Sequence, residues 1–169
     1  GTALNDCSWE DISKIAAAGL ASTYWSVGAT KTITINGTVG TLSLSNLSVD
    51  VFILGFDHNS SVEGSNRIHF QIGKISSRLI GLIDSGYNSY YTNGTKYFNM
   101  NHWGNYNYGG WAGCDLRYDV LGSTDVPPSG YGSTVTTSRV GYNASATCAT
   151  NPVANTLMAA LPADLRAVM

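Results

Sequence analysis

The segment Thr30-Lys31-Thr32-Ile33-Thr34-Ile35-Asn36-Gly37 decides which fold class we expect. Threonine alternates with Lys31, Ile33 and Ile35, which is the period of a strand with one buried face. Asn36-Gly37 is a dipeptide that strongly favours a two-residue hairpin turn. The sequence therefore predicts a β-hairpin whose first strand ends before Asn36-Gly37.

Further strands are predicted downstream of this hairpin. Residues 67–72 place Ile68, Phe70 and Ile72 on one face, as in a half-buried strand. The other predicted strands are 41–44, 49–56, 79–84 (a strand or one turn of helix) and 95–100. The last of these lies inside a long ordered loop that covers 87–108.

The first helix is predicted to begin at Ser8. Serine is a good N-cap residue, and Glu10 and Asp11 in the first turn suit the helix dipole. Apolar residues recur at helical spacing on one face: Trp9, Ile12, Ile15 and Ala16. Gly19 is the expected end of the helix.

A glycine-rich segment at 109–122 is predicted to contain a second helix, 111–121. A Gly-Gly entry, one large aromatic residue and an arginine among apolar residues indicate a structural hub rather than a reaction centre. We expect Trp111 and Arg117 to be structural, with Arg117 fixing the long loops. Residues 123–150 have little apolar content and are predicted to be a surface excursion.

A third helix is predicted to begin at Asn151-Pro152, because proline suits the first helical position. Its apolar stripe is Leu157, Met158 and Leu161. Pro162 is expected to break the helix before a short turn at 163–169. Arg166 in that turn is expected to be structural, pairing with a carboxylate or binding loop carbonyls.

Together these segments predict one α+β domain, 1–169, with antiparallel strands, two to three short helices and long loops. A chain of 169 residues is long enough to bury a core. The longest apolar run, 51–54, is far shorter than the ~20 residues of a membrane span.

The composition is that of an extracellular β-protein or a viral fibre. Charged residues make up 12% of the chain, against roughly a quarter in average soluble domains. Their place is taken by 19 Ser, 16 Thr and 14 Asn, which hydrate a surface without long mobile side chains. The net charge of −2 disfavours binding to nucleic acid or to an anionic membrane.

Cysteine usage favours buried free thiols over a disulfide framework. Cys7, Cys114 and Cys148 are odd in number and lack C-x-x-C spacing. At least one thiol therefore stays unpaired, and a buried free cysteine behaves as a small apolar side chain.

Candidate reaction centres are weak. Asp57-His58, His69 and His102 are possible metal ligands, but their spacing fits no standard site and structural hydrogen bonding is the favoured role. Asp115 and Asp119 form the only regular acidic pair on a predicted helix, and capping or salt bridging is the favoured role there. The sequence predicts no catalytic residue, metal or cofactor.

Aromatic side chains interleaved with Asn, Ser and Gly are the main functional candidates. This is the composition of antibody-like binding loops, in which rigid rings are combined with adaptable polar groups. The alternative is that about half of these rings fill the core beneath a long loop. The candidate ligand-binding residues are Tyr87, Tyr90, Tyr91, Trp103, Tyr106, Tyr108 and Tyr131.

Several motifs between Trp9 and Met169 together carry a resemblance to a known family. They are W-x-x-I…G, the Asn-Gly hairpin, I-L-G-F-x-H-N, Y-F-N-M-N-H, G-G-W-x-G-C-D-L-R-Y-D-V-L-G and N-T-L-M-A-A-L-P-A-D-L-R-A-V-M. The chain resembles a poorly characterised family of gut-bacterial surface proteins and phage proteins. Its second half is a C-type-lectin-like module, sometimes diversified by a retroelement, that displays aromatic and Asn/Ser-rich loops for ligand binding.

The resemblance implies a C-type-lectin-like, non-enzymatic binding domain of a virion appendage or a cell-surface protein. Its expected partners are a host glycan or protein and neighbouring virion or surface subunits. Family members continue past the position of Met169, so we expect this chain to be the N-terminal part of a longer protein and to contact the C-terminal segment. The alternative is a purely structural decoration or fibre-anchoring domain that docks through the apolar end at 160–169.

Overall fold

The computed structural model describes residues 2–39, 42–75, 78–79, 87–88, 96–97, 121, 149 and 151–169. The described helices are α1 (Trp9–Ala17), α2 (Ala21–Tyr24), α3 (Ser60–Glu63), α4 (Leu157–Ala160) and α5 (Ala163–Arg166). The described strands are β1 (Thr30–Val39), β2 (Leu42–Phe56), β3 (Ile68–Ile75), β4 (Arg78–Leu79), β5 (Tyr87–Asn88) and β6 (Lys96–Tyr97). Antiparallel strands with a few short helices confirm the α+β class.

The chain forms two compact units. The first comprises Gly1–Ile35, Asn46–Gly81 and Val168, and the second comprises Asn36–Ser45, Leu82–Ala167 and Met169. The first unit contains α1 to α3 and the ladder between β2 and β3, whereas the second contains α4 and α5.

One sheet has the strand order β1-β2-β3-β4, with β2 antiparallel to β3 and β3 antiparallel to β4. Across β2 and β3, Ile53 pairs with Phe70 and Gly55 pairs with His69. The register shifts between these two pairs. An extra residue at such a shift, here Leu54, is the pattern of a β-bulge, which locally re-aims the neighbouring side chains.

The predicted turn at Asn36-Gly37 is wrong. β1 continues through both residues to Val39, and the two strands predicted within 41–56 are one strand, β2. The physical reason is that inward-facing apolar positions continue past the glycine: Ile33 is 4% exposed, and Ile35 and Val39 are fully buried. Full burial of such an aliphatic side chain contributes about 1.5–3 kcal/mol, which favours the longer strand.

Helix α1 confirms the prediction for the first helix, including its cap. The Ser8 Oγ accepts a hydrogen bond of 3.0 Å from the Asp11 backbone N–H. At the other end, Gly19 has a φ of +74° and its N–H donates to the Ala16 carbonyl at 2.8 Å. This left-handed conformation after the last turn is the one for which glycine is selected.

The core of the first unit lies between α1 and the sheet. Trp9 meets Phe70 edge-on, with ring centroids 5.4 Å apart. The Trp25 Nε1 donates to the Thr2 carbonyl at 3.2 Å, which fixes the N-terminal segment. Other buried apolar side chains of this core are Leu4, Ile12, Ile33, Val49, Val51 and Ile53.

The predicted start of the third helix is wrong, whereas the predicted interruption at Pro162 is confirmed. The helix α4 begins at Leu157 rather than at Asn151-Pro152, because Asn155 takes a left-handed φ of +61° that interrupts helical geometry. Buried Thr156 then donates its hydroxyl to the Val153 carbonyl at 2.6 Å. Pro162 separates α4 from α5, as expected.

Of the predicted second helix at 111–121, the structure describes Leu121 alone, in a turn, and of the predicted surface excursion at 123–150 it describes Ala149 alone. Ala149 is 2% exposed, so this residue does not lie on the surface as predicted. Across the described stretches, no helix has both the length and the apolar character needed to span a bilayer.

Candidate functional site

Most residues predicted to bind ligand lie outside the described part of the chain. Tyr87 is described as a member of β5, where it pairs with Lys96 of β6 in parallel orientation. The candidates outside the described residues are Tyr90, Tyr91, Trp103, Tyr106, Tyr108 and Tyr131, together with the proposed hub residues Trp111 and Arg117.

The described residues instead bring together a polar cluster at the turn between β2 and β3. Positions 57–67 form this turn, which includes the four-residue helix α3. The register that pairs Gly55 with His69 places the start of the turn directly beside β3. Residues that are separate in the sequence therefore meet: His58, Glu63 and His69.

The imidazole rings of His58 and His69 stack on each other. Their centroids are 4.9 Å apart and their planes differ by 14°. The His58 ring lies so close to Gly55 that a Cβ at this position would overlap it. Glycine at position 55 is therefore required for the stack as it stands.

Glu63 fixes the other side of His69. Its Oε2 lies 3.0 Å from the His69 Nε2, and its Oε1 accepts a 3.5 Å hydrogen bond from the Asn59 amide. The hydrogen bond with His69 lowers the pKa of the Glu63 carboxyl, and the bond from Asn59 lowers it further. The carboxylate form is therefore favoured at this position.

The two ends of the turn are tied by hydrogen bonds. The Asp57 N–H donates to the Arg67 carbonyl at 3.0 Å, and the Arg67 N–H donates to Asp57 Oδ1 at 2.8 Å. The Arg67 Nε also donates to the Glu63 carbonyl at 3.1 Å. Asp57 has a φ of +53°, so these bonds hold a left-handed residue in place.

The geometry of the two rings does not suit the binding of one metal ion. Imidazole lone pairs lie in the ring planes, and nearly parallel planes do not converge on one ion. Within the described stretches no group of three or more His, Cys, Asp or Glu residues could hold a metal ion. The His69 Nδ1 is buried and has no hydrogen-bond partner in this part of the chain.

A small cleft lies beside the same turn. Its volume of about 30 Å³ is close to the share of one water molecule and far below that of a ligand pocket. The cleft is lined by Ala16, Gly19, Ala21, Ser22, Phe56, Asp57, Asn66 and Arg67. It can hold a solvent molecule but not a drug-sized or sugar-sized ligand.

Two further predicted residues have defined surroundings. Arg166 donates from Nη1 to the Ala149 carbonyl at 2.8 Å and from Nε to the Leu161 carbonyl at 3.3 Å. Its guanidinium thus binds main-chain carbonyls within the second unit. Cys7 is a buried free thiol, as predicted, and Cys114 and Cys148 lie outside the described residues.

Sequence reasoning named His58 and His69 but missed Glu63, the partner of His69. It grouped the histidines with His102, which lies outside the described residues. The usable signal was the prediction of strands at 49–56 and 67–72, because an antiparallel return brings the ends of the intervening turn together.

Comparison with known proteins gave no match to a family model, to a curated protein or to a solved structure.

Proposed function

We propose that this chain is a non-enzymatic binding and display domain of a phage virion appendage or a bacterial cell-surface protein. Its partner would be a host glycan or protein, and its finer architecture would be C-type-lectin-like. In this proposal the aromatic residues between β4 and Ala149 make the contact, and the sheet with α1 is the frame.

One observation carries the proposal. Of the 22 residues from Tyr87 to Tyr108, eight are Tyr, Phe or Trp, six are Asn and one, Lys96, carries a formal charge. Aromatic rings supply a large contact area at a low cost in side-chain entropy, and amides supply hydrogen bonds that fit many partners. The same pairing suits sugars, which offer apolar ring faces and hydroxyl groups.

The packing of the first unit adds support. In the first unit, Val49, Val51 and Ile53 of β2 and Trp9, Ile12 and Ala16 of α1 are buried apolar residues. A binding segment needs such a frame, because ordering a loop on binding reduces affinity. The chain leaves this sheet at β4, ahead of the aromatic segment.

The alternative, a structural virion component that docks through residues 160–169, has less support from the described residues. Ala160, Leu161 and Leu165 are buried in the chain itself, which leaves Met169 as the exposed large apolar side chain of this end. Light scattering of the isolated chain separates the two proposals. Assembly would favour the structural role, and a monomer would favour binding and display.

The binding proposal is tested by incubating purified protein with gut-bacterial cells and with a glycan array. Retention on protease-treated cells with loss after periodate oxidation would identify a glycan partner. The reverse pattern would identify a protein partner. Binding no stronger than background, both to the cells and to the array, would overturn the proposal.

A further inference from the structure

Residues 58–63, which we call the latch segment, contact β3 through the ring of His69, and the Arg67 Nε binds the Glu63 carbonyl at 3.1 Å. His69 stacks on His58 at 4.9 Å between centroids, and its Nε2 lies 3.0 Å from Glu63 Oε2. No side chain of α3, the helical part of this segment, is buried. The attachment of the latch segment to β3 therefore depends strongly on the state of two imidazoles.

We propose that the latch segment is a proton-sensitive element of the fold. It is closed on β3 while the His58–His69 stack carries at most one proton, and its open fraction rises, while remaining minor, when both rings are protonated. The proposal concerns the first unit only and does not depend on the proposed binding function.

The first proton strengthens the closed form. When His69 is charged, its hydrogen bond with the Glu63 carboxylate becomes an ion pair as well, which strengthens the contact. The second proton acts in the opposite direction, because it places a like charge on a ring 4.9 Å away. Histidine is the side chain that ordinarily changes charge between pH ~5 and ~8.

The neighbouring charges do not compensate the second proton. Glu63 remains ionised in this range, because the bond with His69 lowers the pKa of its carboxyl, but this carboxylate faces His69 and Asn59. Asp57 Oδ1 is engaged by the Arg67 N–H, and the Arg67 guanidinium adds positive charge next to the Glu63 carbonyl.

Strands β2 and β3 contribute one more pair of oppositely charged residues. Asp50 of β2 and Lys74 of β3 oppose each other farther along the ladder, beyond the Ile53–Phe70 pair. The Asp50 carboxylate accepts a hydrogen bond from the Thr32 hydroxyl, and the Lys74 ammonium lies over the ring of Phe52. Both side chains thus have their contacts with residues outside the His58–His69 stack.

Opening is measured by amide hydrogen exchange, corrected for the intrinsic pH dependence of the exchange rate. The reporters are the amides of Val62, Glu63 and Gly64, which donate to the Asn59 and Ser60 carbonyls. In the native chain their protection should fall about threefold or more between pH ~8 and ~5. The amide of Ile12 in α1, which donates to the Ser8 carbonyl, is the control for global stability and should not change.

Two variants isolate the stack. His58→Gln keeps a polar side chain without a titrating ring, and Gly55→Ala places a Cβ where the His58 ring lies. Each should give equal reporter protection at both pH values, with normal protection at Ile12. A native chain without the pH-dependent loss would overturn the proposal, and so would a loss of equal size in both variants.

Discussion

Trp9 of α1 and Phe70 of β3 meet edge-on, with centroids 5.4 Å apart and ring planes at 83°. Trp9 is 4% exposed, so this contact lies in the core that joins the helix to the sheet. Edge-to-face aromatic pairs contribute about 0.5–1.5 kcal/mol beyond the burial of their surface. The pair therefore links the first helix directly to β3.

Removal of this link should strongly destabilise the chain. Trp9→Ala is expected to lower the free energy of unfolding by about 3–5 kcal/mol, because a large buried ring is lost and a cavity remains. Urea titration measures the change. Tyr24→Ala is the matched control, since Tyr24 is 47% exposed, and equal losses in the two variants would contradict this account.

The N-cap of α1 should contribute a smaller and separable amount. Ser8→Ala removes the acceptor for the Asp11 N–H and is expected to cost about 1 kcal/mol of unfolding free energy. Ser13→Ala changes a serine inside the same helix, where no cap is involved, and should cost nothing. Equal unfolding free energies of Ser8→Ala and Ser13→Ala would show that the Ser8 side chain does not stabilise the helix as an N-cap.

The parts of the fold that could be predicted from sequence are those with local signals. Ser8, the acidic first turn and Gly19 define α1 locally, and the alternation at 67–72 predicts the first part of β3, which spans Ile68–Ile75. The failure at Asn36-Gly37 has a non-local cause. Burial of Val39 extends β1 past a dipeptide whose local preference is to turn.

The candidate site shows the same limit. Contact between Glu63 and His69 depends on how β3 returns beside β2, which no spacing within 57–67 specifies. The start of α4 was missed because the left-handed φ of Asn155 overrides the preference of Pro152 for a first helical position. In each case tertiary packing or backbone geometry outweighs a short motif.

Acid stability should depend on Glu63. The hydrogen bond with His69 places the pKa of this carboxyl below its usual value of 4.5. A carboxyl with a lower pKa in the folded than in the unfolded state stabilises the fold above the unfolded value. That contribution is lost as the pH falls through the folded value.

Glu63→Gln should therefore flatten the decline of the melting temperature between pH ~5 and ~2. This is the window in which the stabilisation that comes from a lowered carboxyl pKa is lost. His69→Gln removes the partner of the same bond and should flatten the same range. The double variant should behave like either single variant. Additive effects would indicate that Glu63 and His69 act independently.

Arg166 should be needed for its planar guanidinium as well as for its charge. It binds the Ala149 and Leu161 carbonyls through two different nitrogens, a geometry that one ammonium group reproduces poorly. Arg166→Lys is expected to cost about 1–2 kcal/mol of unfolding free energy. Urea titration against Lys14→Arg, an exchange at an exposed ion pair with Glu10, supplies the comparison. Equal stability of Arg166→Lys and the native chain would contradict this role.

The central claim, adhesion by aromatic side chains on a stiff frame, is tested most directly by the affinity of the purified chain for gut-bacterial cells. Replacement of Tyr90 and Tyr91 together by alanine should raise the Kd at least about tenfold, while Tyr24→Ala leaves it unchanged. Unchanged affinity in the double variant, or an equal loss in Tyr24→Ala, would contradict the account.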